Sequence, residues 1–584
     1  MRGLARGGLM GGGELLFQAD YPATLDRLCR DLTCARAEIW SFDDAPTRRA
    51  AEQALAARGV RARCRSAYKP LLHAFLEEIQ TEGLAVAEIA CPRHPQAVPG
   101  RFLLEAYPLP ALFPLADFRF SEGRESEAMP VYRLRLGYAS GEVRHATVPA
   151  PNRPHRDHAG GMALSPCGWL IRDGLAEALE TDYEALFHDT MRAIAAAPWS
   201  GEPCFQELNI AVTLPVRDQS LDWGAEAVSL AEALHEDLYF SLIEHFQCRF
   251  GRPSGDRSLR LGQIVPEIRH GPRHAVRVRV RDWDRSPAGG ARWQRLDRAH
   301  APLALAQIAR ELARLPGVPF AARSVAGRPV EARYLPGRDR AVMISAGQHA
   351  NEVSGPVGAL RAAQELARRE GAHFTLCPLE NPDGYALRQR LAGAAPRHML
   401  HAARYTALGD DLEHRHEPPE AERGIRDQAL RLSGALLHVS LHGYPAHEWT
   451  RPLSGYVPRG FRDWTLPRGF FLILRHHPGW ARPAALLAEA VIARLARLPD
   501  LVAFNAAQLA LARRHGVVPQ APGGFVRIIA EDARPPVPLV LVTEYPDETL
   551  LGAPFAAAHE AQRSAVIAAY DAFQELDLGD RPVA

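Results

Sequence analysis

The stretch AVMISAGQHANEVSG, Ala341–Gly355, decides how the second half of this chain is read. Its first six residues, Ala341–Ala346, form a short apolar run of the buried-strand type. The run stops at Gly347, polar residues follow, and a helical pattern then covers Gly355–Glu370. Strand, turn and helix in that order open an α/β unit, and His349 and Glu352 fall at the turn. In open α/β sheets the carboxyl ends of strands line the ligand crevice. An ionisable pair placed there is a candidate site.

The same pattern recurs twice downstream. The apolar run Ala435–Leu441, within LLHVSLHGY, ends on His442, and Val537–Thr543 (VPLVLVT) ends on Glu544. Two imidazoles and a carboxylate make a borderline-soft donor set suited to Zn2+, with a fourth position left for water. The i, i+3 spacing of His349 and Glu352 puts both on one side of a first helical turn. Glu544, outside that donor set, has the chemistry to take a proton from water and pass it to a leaving amine. His349 taken alone reads as an ordinary loop histidine; the convergence of three strand ends outweighs that reading. A second H-x-x-E pair, His414–Glu417, lies in the Pro-rich loop HRHEPPE with no strand before it, and is read as surface.

In order along the chain, GQHANE, ENPDGY (Glu380–Tyr385), SLHG (Ser440–Gly443) and TEYP (Thr543–Pro546) resemble the motifs of the zinc metallocarboxypeptidases of the carboxypeptidase A type. The resemblance covers about Ala301–Leu576. It implies an α/β/α sandwich around a mixed sheet of about eight strands. It implies one Zn2+ held by His349, Glu352 and His442, with Glu544 as general base and acid. It further implies an arginine for the oxyanion and one for the substrate carboxylate, for which Arg404 and Arg415 in ARYTALGDDLEHR are the candidates. Arg388, Arg390 and Arg397 are rivals. The family's Asn-Arg pair has no counterpart here, because Glu413 and His414 precede Arg415. Tyr456 lies in the interval where the family carries a substrate-capping tyrosine. The turn Asn381-Pro382-Asp383-Gly384 reads as architecture. The implied reaction removes a C-terminal residue from a peptide. An N-acyl amino acid deacylase of the aspartoacylase type, acting on a small acylated amino acid, is the alternative with the same metal centre. A non-catalytic binding module on the same fold is the other.

Outward from this region the chain is less explicit. Its 584 residues allow two to four domains, divided here as a small α/β region over 1–95, an α+β region over 96–300 and a catalytic domain over 301–584. Strands are expected at Arg36–Trp40, Val60–Arg65, Val131–Tyr138 and Ala275–Val280, with helices at Pro46–Arg58, Leu71–Ile79 and Glu226–Phe246. The proline-rich part Pro92–Phe118 reads as a linker. HEDLY (His235–Tyr239) reads as a helix surface, and His155 and His158 as loop residues.

A net charge of +1 excludes a global field for nucleic acid or anionic membrane. Lys69 is the only lysine, so arginine is simply this chain's cation. Eight cysteines without C-x2-C spacing form neither a zinc knuckle nor a disulfide framework. The glycine-rich N-terminus lacks the apolar core of a signal peptide, and a cytoplasmic protein is expected.

Overall fold

Ionisable residues and apolar runs alternate along the chain in a way that builds two layered halves joined through a common interior. The computed structural model describes residues 13–285, 293–415 and 417–578. In the first half, Arg36–Ser41 pairs in parallel with Arg61–Ser66, and the helix Ala45–Ala57 between them starts on an Asp44 cap that accepts from the Thr47 amide. Trp169–Arg172 and Leu175–Ala178 complete that sheet antiparallel. A second sheet orders Asp117–Glu125, Leu84–Arg93, Val131–Tyr138 and Val143–Pro149. A third orders Glu14–Tyr21, His274–Arg281, Glu207–Leu214 and Gln263–His270.

The stretch expected to be a linker is part of the interior. Phe102, Leu104, Tyr107 and Leu109 are buried with Phe118 and Tyr132, because the prolines there punctuate two short helices, Arg101–Glu105 and Leu109–Leu112. The helix carrying HEDLY, α1 (Leu230–Arg249), is also internal. His235, Glu236 and Asp237 are all buried, so this segment is not the surface that its charge suggested. Ser229 caps α1 by accepting from the Glu232 amide.

The second half holds one mixed sheet of eight strands. In chain order they are β1 (Val318–Arg323), β2 (Pro329–Leu335), β3 (Val342–Ala346), β4 (Phe374–Cys377), β5 (Leu437–Tyr444), β6 (Phe471–His476), β7 (Arg527–Glu531) and β8 (Leu539–Pro546). Their order across the sheet is β1-β2-β4-β3-β5-β8-β6-β7. The four neighbours β4, β3, β5 and β8 run parallel, whereas β2 and β6 pair antiparallel at either side. Helices α2 (Ser354–Leu366) and α4 (Ala553–Glu575) cover one face, and α3 (Pro382–Ala392) follows the NPDG turn.

Side chains alternate across each strand. Leu437, Val439, Leu539 and Leu541 therefore enter the apolar core with Val357, Leu360 and Val566 of α2 and α4. Ser440, His442, Val542 and Glu544 point to the opposite face, where a cavity lies. This is the α/β/α sheet architecture that the motifs imply. Strands β6 and β7 and the helix Pro499–Arg514 were not anticipated.

The two halves share an interior. Leu387, Leu391, Leu453, Tyr456 and Leu466 of the second half belong to the same apolar cluster as Leu234, Leu238 and Phe246. Buried polar contacts stitch the seam: Arg451 donates to Glu244 at 2.7 Å, the Leu453 amide to Asp237 at 2.8 Å, and Glu236 meets His401 at 2.6 Å. Arg451 and Glu244 lie out of water, where an unpaired charge is costly. Among the described residues no helix is long and apolar enough to cross a membrane.

Candidate metal centre and its cleft

Pairing of β5 with β8 sets His442 directly beside Glu544, and β3 brings the His349–Glu352 turn alongside β5. Gly347 makes that turn possible. It adopts φ 64°, and a side chain there would meet Leu379 at 2.6 Å. The turn is fastened from β8, because the Ser354 amide at the start of α2 donates to Asp547 at 2.6 Å. Gly443, next to His442, leaves room for the same aspartate, since a Cβ there would lie 2.1 Å from it. Gln562 of α4 donates to the His442 carbonyl at 2.8 Å and accepts from Thr543, tying the two strand ends together.

His349, Glu352 and His442 are buried, and each brings a ligand atom within 4.8 Å of the others. Nδ1 of His349 is 2.8 Å from Glu352 Oε1, Nδ1 of His442 is 3.0 Å from Oε2, and the two Nδ1 atoms are 3.2 Å apart. The outward nitrogens are occupied. His349 Nε2 meets Asp411 at 3.3 Å, and His442 Nε2 meets Ser440 at 3.1 Å. Partners on the outer nitrogen fix tautomer and ring orientation, leaving Nδ1 to face inward as a ligand. Two inward imidazole nitrogens, one carboxylate and a buried setting fit Zn2+.

The electrostatics follow from this crowding. Burial alone would raise the Glu352 carboxyl, but His349, His442 and Arg404 hold it well below the usual carboxylate range. Burial and Arg404 press His349 down, yet Glu352 and Asp411 outweigh them and its pKa is raised. His442 is lowered, chiefly by burial. Glu544 goes strongly the other way: burial and the neighbouring Glu352 raise it well above an ordinary glutamate. One of its oxygens is buried with no hydrogen-bond partner among the described residues. A carboxyl in that state holds its proton more tightly than an ordinary glutamate, a perturbation that marks a candidate functional group.

Arg404 lines the cavity beside the cluster, donating to Glu352 at 2.8 Å with Glu548 at 3.7 Å. Its backbone is gripped by Asn381, whose Nδ2 donates to the Tyr405 carbonyl at 3.0 Å and the Arg404 carbonyl at 3.4 Å. The NPDG turn is thus architectural, as its sequence indicates. Its Asp383 is spent on Ser324, the Ala326 amide and Arg328.

Two of the sequence candidates lie elsewhere. Arg415 is buried away from the cavity, its fork consumed by Asp410, Thr406 and Glu422 at 2.6–2.9 Å. Four of its five N–H donors are committed there, and the fork is not available to a substrate carboxylate. Tyr456 is fully buried in the apolar cluster shared with the first half, its hydroxyl 3.2 Å from Glu448 and its ring under Arg101. It cannot cap a substrate from there. Of the rival arginines, Arg390 pairs with Glu207 at 2.7 Å, and Arg388 is buried.

The cavity, about 280 Å³, is lined along the sheet by Ser440, His442, Val542 and Glu544. His414, Arg426 and Arg475 close another side, with Arg426 already bound to Glu380 and Glu413 at 2.7–2.8 Å. Phe240 and Arg257, from the first half of the chain, complete the wall. Sequence reasoning missed Asp411, Ser440, Arg426 and these two. Ser440 sat inside a quoted motif, and Asp411 two residues before Glu413, so both were within reach.

Residues 305–417 match a family model described as zinc carboxypeptidase. The match contains His349, Glu352 and Arg404 and ends before His442 and Glu544, which the sheet brings to them. That match, which falls within the second half of the chain, supports a zinc carboxypeptidase-like hydrolase. Comparison with curated proteins gives no match. Among solved structures, a metallo-carboxypeptidase from Burkholderia cenocepacia is 18% identical at a TM-score of 0.28, covering 47% of this chain and 70% of that one. A metallo-carboxypeptidase from Pseudomonas aeruginosa, in complex with (2-guanidinoethylmercapto)succinic acid, is 17% identical at 0.29, covering 53% and 74%. Carboxypeptidase A from Helicoverpa armigera is 10% identical at 0.33, covering 57% and 94%. At such TM-scores these likenesses carry no weight of their own, and the family match and the site geometry bear the assignment.

Proposed function

We propose that the chain removes a C-terminal residue from a peptide, using His349, Glu352 and His442 to hold Zn2+ and Glu544 as the proton carrier. The convergence of the three donors beside an unpartnered Glu544 carries this reading. Zinc bound there supplies Lewis acidity and lowers the pKa of a water toward ~7. Glu544 takes the proton from water and returns it to the departing amine nitrogen, so one group serves as base and then acid. Its raised pKa in the bare site suits a group that must hold a proton between those two steps. Arg404 holds the oxygen on which charge develops, a role for which a guanidinium fixed by Glu352 and by the Asn381 clamp on its backbone is prepared in advance. Asp411 and Ser440 keep the two imidazoles aimed inward.

A second cavity of about 320 Å³ adjoins the first, and the two share Phe240, Arg257, Tyr405, Phe461 and Trp464. An extended cleft of that kind favours a peptide over a small N-acyl amino acid.

The test is mass-spectrometric product mapping. Zinc-loaded protein is offered peptides with free or amidated C-termini and a panel of N-acyl amino acids, with Glu544→Gln as control. Loss of single residues from free C-termini only, absent in the variant, is the expected result. Deacylation alone would replace the peptidase reading by the small-molecule one.

A further inference from the structure

The cavity presents four guanidinium groups, from Arg257, Arg404, Arg426 and Arg475, and they differ in how far the protein satisfies them. Arg426 is spent on Glu380, Glu413 and Gln348. Arg475 donates to Glu413 at 3.0 Å, and Arg404 to Glu352 at 2.8 Å. Arg257 makes no side-chain hydrogen bond among the described residues. Its nearest carboxylate oxygen, on Asp411, is 3.7 Å away, beyond hydrogen-bond reach. That oxygen already serves His349, and the other accepts from Gln348 at 2.8 Å. The Arg257 side chain stays 34% exposed and lies over the Phe461 ring at 5.7 Å.

The backbone around Arg257 is fixed where its side chain is not. Its carbonyl accepts from the Asp411 amide at 2.9 Å, and the Gly262 amide donates to Leu408 at 2.8 Å. Arg260 reaches the carbonyls of Pro418 and Glu417 at 2.7 and 3.2 Å. A rigid loop thus holds an unsatisfied fork of donors at the junction of the two cavities. Elsewhere the adjoining groove is apolar or internally paired: Phe240, Ile243, Leu259 and Trp464 line it, Glu244 is taken by Arg451, and Arg459 by Asp157.

Resting on the hydrolase reading above, we infer that Arg257 is a specificity-determining residue which binds an acidic side chain of the substrate at the mouth of the metal cavity, with an apolar neighbour of that side chain in the groove. A guanidinium fork matches a carboxylate in two parallel hydrogen bonds, and apart from its 3.7 Å ion pair with Asp411 the Arg257 fork makes no hydrogen bond among the described residues. The first half of the chain, on this account, reads the substrate on which the second half acts.

The test uses tetrapeptides paired as Glu or Gln at each position in turn. They are assayed for hydrolysis by the zinc-loaded protein and for calorimetric binding to the metal-free protein. Wild type is expected to favour Glu at one position by about 10- to 100-fold, the range of a charge-assisted hydrogen bond. Arg257→Met brings that ratio near one through KM, with the larger loss on the Glu peptide. Arg257→Glu turns the preference to Lys at the same position. Both variants retain the backbone bond to Asp411. Absence of any Glu preference in both assays overturns the inference, and so does equal loss on Glu and Gln peptides in Arg257→Met. Glu-selective binding that needs Arg257, without turnover of any peptide, would uphold the inference and defeat the hydrolase reading instead.

Discussion

The two walls of the cleft are built by different rules. On the sheet side, each functional residue stands at the end of an apolar strand, so backbone pairing alone brings His442 and Glu544 together. On the other side, Phe240 comes from a buried helix and Arg257 from a loop, and neither has a motif around it. The sheet wall takes its geometry from hydrogen-bond register, which local sequence encodes. The helix-and-loop wall takes it from tertiary contacts such as Arg451–Glu244 and Glu236–His401. On the function proposed above, chemistry is concentrated where the fold is locally specified, and recognition where it depends on how the two halves meet.

Changes at the two walls should separate cleanly. The largest effect is expected for Glu544→Gln, which should lower kcat by about 10²–10⁴ while zinc content and melting temperature stay at wild-type values. Zinc lost along with activity would mean that Glu544 is a ligand, not the proton carrier. On the opposite wall, Glu244→Gln leaves Arg451 buried without its charge partner and should cost about 3–5 kcal/mol. Denaturant unfolding followed by fluorescence and by circular dichroism should show one transition, shifted as a whole, because the two halves share an apolar cluster. Two separate transitions would break the picture of a common interior.

Asp411→Asn tests the contact between the walls. It should weaken zinc binding by about 10- to 100-fold in calorimetric titration, through loss of the charge that orients His349. Unchanged affinity would leave the Asp411 side chain with the structural task of accepting from Gln348 and the Glu413 amide.

A further expected effect is one of pH on the seam. Burial would lower His447, but Glu232 and Glu226 raise it to about 9 from an ordinary 6.5. A raised folded pKa gives stability that is complete below pH 6.5 and is lost as pH climbs toward 9, up to about 3 kcal/mol from this group. Wild type should lose stability across that window, and His447→Gln should flatten the loss. Equal slopes in both proteins would assign the pH dependence to other groups.

The same contrast explains what the sequence disclosed. His349, Glu352, His442 and Glu544 were legible because a polar residue closing an apolar run is locally anomalous. The sheet architecture was legible for the same reason, except for β6 and β7, whose flanks carry prolines and loops that mask their limits. Arg415 was placed by order along the chain, yet what decides an arginine's role is which carboxylates already hold it, and Asp410 and Glu422 are invisible as partners in a linear reading. Tyr456 failed likewise, since only the fold shows that its ring closes an apolar cluster. Arg257 lies more than a hundred residues from the cleft's other arginines in the chain, and it becomes functional only by approach.

The central claim is the donor set. X-ray absorption at the zinc edge of protein loaded with one equivalent tests it most directly. The expected spectrum has two imidazole nitrogens and oxygen neighbours at about 2.0–2.2 Å, and one nitrogen fewer in His442→Ala. Sulfur in the shell, or a spectrum indifferent to His442→Ala, would place the metal elsewhere and contradict the account.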